Sequence, residues 1–177
     1  MLKMSSRPFL SAVRRQWMYL LASKTGQRDA AGARRDLETS LRLLGTDYLD
    51  IYQLHHLNTA EHRQQALGSG GALEALLEAR EQGLVRYIGV TGHDWPQIQQ
   101  AVDTGLFDTV LCWYNCAMKE PEDSVFAAAR NFDTGVVIMN AGRNDKLFKG
   151  PDAPAPEQFY RYVLSHPAVA LTIMGLR

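Results

Sequence analysis

Leu37-Glu38-Thr39-Ser40-Leu41-Arg42-Leu43-Leu44-Gly45-Thr46-Asp47-Tyr48-Leu49-Asp50-Ile51-Tyr52-Gln53-Leu54-His55 changes texture once, and that change decides the fold class. The first half sets Leu37, Ser40, Leu41 and Leu44 on one face at helical spacing. Asp29 is placed to cap this helix, expected over Ala33–Leu44, and Gly45 to end it in a left-handed turn. The second half, Tyr48–Leu54, is a short apolar run of strand type that leads into His55 and His56.

The same alternation recurs on both sides. Strands are expected at Trp17–Ser23, Tyr48–Leu54, Val85–Val90, Thr109–Trp113, Val136–Met139 and Val169–Met174. Helices are expected at Ala33–Leu44, Ala72–Gln82, Trp95–Asp103, Pro121–Phe132 and Pro156–Leu164, with another at Pro8–Gln16 ahead of the first strand. Two longer loops, Asn58–Gly71 and Asn140–Pro156, follow strand ends. Strand and helix in regular alternation imply parallel pairing with right-handed crossovers. Six βα units suit either an open doubly wound sheet or part of an eight-fold barrel. A dinucleotide reader of the Rossmann type is disfavoured. There is no G-x-G-x-x-G turn, and Lys24-Thr25-Gly26-Gln27 lacks the preceding glycines of a phosphate loop.

Composition sets the bounds. The chain has 177 residues, enough for a single domain over 1–177, and its hydrophobic fraction of 46% can fill a core. Nineteen basic residues balance nineteen acidic ones. That balance argues against a nucleic-acid binder and an electrostatic membrane anchor. It also removes self-repulsion, so self-association is an expectation. No apolar run is long enough for a membrane span, and the N-terminus does not read as a secretory signal. A cytoplasmic protein is expected. Cys112 and Cys116 read as buried small apolar side chains, not as a disulfide or a zinc site.

Polar residues gather at strand C-termini: Lys24 at the first, Asp50, His55 and His56 in or after the second, Thr91 and His93 after the third. Tyr114 and Asn115 follow the fourth strand, Asn140 the fifth and Arg177 the sixth. In a barrel these positions open on one mouth. Each also has a plainer reading as a solvated strand end, an ion pair or a loop contact. Strand alternation puts His55 on one face with Gln53 and Ile51, and His56 on the other with Leu54 and Tyr52. Adjacent strand residues point apart, so His55, His56 and Asp50 are not read as a metal site, and no metal ligand is assigned.

These residues resemble a family. Ala22-Ser23-Lys24-Thr25-Gly26 and the long run from Leu37 to His55 are similar to the aldo-keto reductases. Gly83-Leu84-Val85-Arg86-Tyr87-Ile88-Gly89-Val90-Thr91 resembles the family's fifth strand, and Tyr114-Asn115 the Tyr-Asn after its sixth. Gly135-Val136-Val137-Ile138-Met139 and Val169–Gly175 resemble its seventh and eighth. The resemblance implies a TIM (β/α)8 barrel that uses NADP or NAD to reduce an aldehyde or ketone, hence a small carbonyl substrate. It implies Lys24 as the lysine that acidifies a proton-donating tyrosine, and His55 as the histidine that orients the carbonyl. Thr91 matches a position that helps hold the nicotinamide carboxamide. Gly92 replaces the asparagine often found next. Tyr114, Asn140 and Arg177 are expected among the cofactor-binding residues.

The family's tyrosine and aspartate belong to its second strand, ahead of the matched stretch. The chain therefore reads as a partial barrel of about six βα units, with strands 1 and 2 and the final helices missing. Loss of the general acid costs about 10²–10⁴ in rate, so turnover by this chain alone is expected to be weak. The alternative expectation is an inactive remnant or binding module that associates through exposed barrel edges.

Overall fold

The structure is a computed structural model that describes residues 20–174. The expected helix at Pro8–Gln16, the first residues of the expected strand at Trp17, and Arg177 lie outside the described residues. The strands are β1 (Ala22–Thr25), β2 (Leu49–Leu54), β3 (Val85–Thr91), β4 (Thr109–Trp113), β5 (Gly135–Met139) and β6 (Val169–Thr172). The helices are α1 (Ala30–Leu44), α2 (Ala60–Leu67), α3 (Ala72–Glu81), α4 (Trp95–Val102), α5 (Val125–Asn131) and α6 (Pro156–Leu164). The strands follow in chain order, β1-β2-β3-β4-β5-β6, and β1 and β6 end the series. This is the α/β repeat of a partial TIM barrel.

The chain divides into two compact units, one ending at His55 and resuming over Glu61–Gly89, the other holding His56–Ala60 and everything from Val90. In the first unit, β1 pairs in parallel with β2, Lys24 opposite Gln53 and Thr25 opposite Leu54. That pairing carries β1 two residues past its expected end. α1 covers this pair. Asp29 caps it by accepting from the Gly32 amide at 2.8 Å, and Gly45 ends it at φ 62, a conformation glycine adopts at little cost. Ala33 and Leu37 form the buried face of α1; burying a leucine contributes about 2 kcal/mol. The glycine-rich loop pairs with the start of α1: Ala30 N–H donates to Gly70 and Ala72 N–H to Arg28, both at 2.9 Å. Its role here is structural.

In the second unit, β4 and β5 pair in register from Thr109–Gly135 to Trp113–Met139. β5 pairs with β6 through an irregularity, Val136 opposite Val169 but Val137 opposite Leu171. Val110, Cys112, Val136 and Ile138 are buried here together with Val125, Phe126 and Val163. α5 starts at Val125, four residues later than expected, because the backbone turns first: Ser124 and Phe126 both donate to the Pro121 carbonyl. β6 ends at Thr172, two residues short of Met174. Among the described residues no helix is long and apolar enough to cross a membrane.

Candidate functional site

In the first unit, side-chain contacts fix which face of β1 and β2 is which. Ser23 Oγ lies 2.9 Å from Ser40 Oγ, Thr25 Oγ1 donates to Asp36 at 2.7 Å, and Tyr52 donates its hydroxyl to the Ala33 carbonyl. Ser23, Thr25 and Tyr52 therefore face α1. By alternation, Lys24 and its register partner Gln53 face the other way. The His55 amide donates to the Thr25 carbonyl at 2.9 Å, which extends the ladder by one residue. His55 thus shares the face of Gln53 and Lys24. Lys24 is exposed, Gln53 buried and His55 half-buried. Gln53 is the buried polar member of this row.

Asp50 has a structural task. One carboxylate oxygen accepts from the Leu21 amide at 2.8 Å and the other from Arg86 at 3.0 Å. His56 departs from its expected place. The chain leaves β2 at Leu54, and His56 turns at φ 58, so strand alternation no longer governs it. Its ring meets His93, with Nε2 atoms 3.1 Å apart.

In the second unit, Thr91 closes β3 and is buried. Gly92 explains its own departure from the family pattern. A Cβ there would come within 2.6 Å of Ile98 Cδ1 and 2.8 Å of Asn58 Oδ1. Tyr114 is 2% exposed and packs among Phe126, Tyr162 and His166. Its hydroxyl donates to Glu122 at 2.7 Å. Burial, followed by its hydrogen bonds to Tyr162 and Glu122, raises its pKa far above the usual phenol value. This ring is engaged beneath α5 and α6. Asn115 is buried, donating to the Asn140 carbonyl at 3.1 Å and accepting from the Ala117 amide at 3.0 Å.

Asn140, just past β5, stands at φ 67 and accepts from the Asn144 amide. Its Nδ2 is buried and has no hydrogen-bond partner. It borders a hollow of about 150 Å³ shared with Gly142, Asp145, Phe148 and Tyr160. A larger hollow of about 340 Å³, beside Arg130, Asp133 and Pro167, opens at the other, N-terminal ends of β5 and β6. In such folds ligands bind at the C-terminal strand ends, so the smaller one is the candidate. Cys112 is buried and its thiol is pushed up to about 12 by burial, whereas Cys116 is exposed, contrary to expectation.

Comparison with known proteins places the chain. The aldo/keto reductase family model matches residues 13–143. Methylglyoxal reductase DkgA of Yersinia pestis is 33% identical over 101 residues, covering 56% of this chain and 34% of that protein. The oxidoreductase YqkF of Bacillus subtilis, itself uncharacterized, is 24% identical over 88% of this chain and 63% of its own length. Aldo-keto reductase AKR11C1 of Bacillus halodurans, in its holo form, superimposes with a TM-score of 0.77 at 22% identity, covering 97% of this chain and 67% of that one. The chain thus spans about a third of the Yersinia reductase and about two thirds of the solved structure. With the family match running through both units and the strand order agreeing, the chain belongs to the aldo/keto reductase family.

Proposed function

We propose that this chain serves the nicotinamide-dependent reduction of a small aldehyde or ketone to its alcohol. The observation that carries this reading is the shared face of Lys24 and His55, at matching ends of neighbouring parallel strands. A carbonyl oxygen gains negative charge as its carbon is reduced. An ammonium and an imidazole on one face are suited to hold it. Lys24 supplies the cation and His55 the hydrogen bond that orients the oxygen. Gln53, between them in the row, steadies the same polar strip.

The residues fit a nicotinamide cofactor. The Asn140 amide has an unused donor beside a hollow at the C-terminal end of β5. Buried donors in native proteins almost always find an acceptor, and an acceptor oxygen of the cofactor would complete this one. Asn140 is therefore assigned to the cofactor, Thr91 is assigned to it by the family resemblance, and Tyr114 is assigned to packing. When bound, the cofactor supplies the hydride. Arg177 remains among the expected cofactor-binding residues.

Two measurements test this. Binding of NADPH and of NADH is followed through the fluorescence of the reduced nicotinamide, with Asn140→Ala and Thr91→Val as variants. Both variants are expected to weaken binding. Aldehyde-dependent oxidation of the cofactor is then followed with methylglyoxal and a panel of small carbonyls. Lys24→Met is expected to lower any substrate-dependent rate by about 10²-fold or more. Equal rates for Lys24→Met and the parent chain would overturn the catalytic assignment, and unaltered binding in both cofactor variants would overturn the cofactor assignment.

A further inference from the structure

We propose that His56 and His93 form a binding site for a divalent first-row transition-metal ion, with Nε2 of each ring as a ligand. The site lies within the second unit. His56 adopts φ 58, uncommon for a residue other than glycine, and this turn presents its ring to His93. The two Nε2 atoms are 3.1 Å apart, the ring centres 4.6 Å, and the ring planes meet at 70°. A linear hydrogen bond of that length would hold the centres about 5.4 Å apart, because donor and lone pair both lie along the ring axes. The shorter spacing rules out collinear ring axes and fits axes inclined toward a point beside the pair. Two nitrogens bound to one ion at about 2.0–2.1 Å stand about 2.9 Å apart at a right angle and about 3.4 Å apart at a tetrahedral one. The observed separation falls between these values, so an ion can enter with little movement of either ring.

The surroundings hold this arrangement. The His93 ring lies 4.4 Å from that of Trp113, and its backbone amide donates to Asn58 Oδ1 at 2.7 Å. His93 Nδ1 is buried, which leaves Nε2 as the nitrogen that an ion can reach. Imidazole suits zinc, copper and nickel. Among the described residues no group of three His, Cys, Asp or Glu side chains gathers as a metal site. The protein therefore supplies two ligands, and water fills the remaining positions on the exposed side.

Isothermal titration of the full chain with zinc chloride, and separately with copper(II) chloride, tests this. One ion per chain is expected, copper bound more tightly than zinc, and both more weakly at pH 5 than at pH 7. His56→Asn and His93→Gln should each weaken zinc binding about tenfold or more, and His62→Gln should leave it unchanged. Asparagine tolerates the left-handed backbone, so His56→Asn decides the matter even if His93→Gln fails to fold. Absence of saturable binding, or binding that survives His56→Asn, would overturn the proposal.

Discussion

Replacing Asp50 by asparagine separates the two arms of its hydrogen bonding. The carboxylate is 4% exposed; the guanidinium of Arg86 is 54% exposed. One oxygen accepts from the Leu21 amide at 2.8 Å and the other from Arg86 at 3.0 Å. Asparagine keeps one acceptor and turns an NH₂ group toward a donor on one of the two arms. A hydrogen bond to a charged, buried group contributes about 1.5–3 kcal/mol, whereas an ion pair reaching into solvent adds little. Asp50→Asn should therefore cost about 2 kcal/mol, because the bond that ties Leu21, ahead of β1, to β2 loses its charged acceptor or, with the amide turned, the acceptor itself. Urea unfolding measures this as a lower midpoint with an unchanged slope. Arg86→Ala removes only the solvent-facing partner and should shift the midpoint much less. An Arg86→Ala shift as large as that of Asp50→Asn would show that the exposed cation carries the interaction and would refute the reasoning.

Other expectations follow from single contacts. Leu37→Ala should cost about 3 kcal/mol in the same urea experiment, because this side chain, on the inner face of α1, is 3% exposed. Tyr114→Phe should cost about 1 kcal/mol by removing its bond to Glu122, yet leave NADPH affinity unchanged; weakened cofactor binding would return Tyr114 to the cofactor site. The folded state lowers the His93 pKa below its ordinary value. The unfolded chain then binds more protons over that interval, so this contribution is present above the unfolded pKa and is lost as pH falls through the folded one. Thermal melts in the absence of metal should show a decline from pH 7 to 5 that His93→Gln flattens.

The alternation of β and α was legible because it is written in local periodicity. Leu37, Leu41 and Leu44 at helical spacing, the Asp29 cap and the Gly45 turn all agree, and α1 forms between those signals. α2 was missed because Ala-Glu-His-Arg-Gln-Gln-Ala-Leu carries no apolar stripe and buries only Ala66. Nothing in such a segment distinguishes a helix from a polar loop. β1 appeared early in sequence because apolar texture marks where a strand can begin, whereas Lys24 and Thr25 are strand residues through their pairing with β2.

Parity explains the uneven legibility of the site. Alternation tells which residues of a strand share a face, but not which face meets the helices. Lys24 and His55 could be placed together because the β1–β2 register links two strands whose other face is pinned to α1 through Ser23, Thr25 and Tyr52. Tyr114 has no such local guide. Its neighbours Phe126, Tyr162 and His166 are supplied by distant stretches of chain, and they set its ring under the helices. His56 is the extreme case, because one residue at φ 58 ends the alternation and turns its ring toward His93, 37 positions away. Sequence periodicity therefore carries the scaffold, while the shared face of Lys24 and His55 rests on the β1–β2 register. Wherever a left-handed turn or a long-range aromatic contact resets side-chain direction, the chemistry has to be read from the fold.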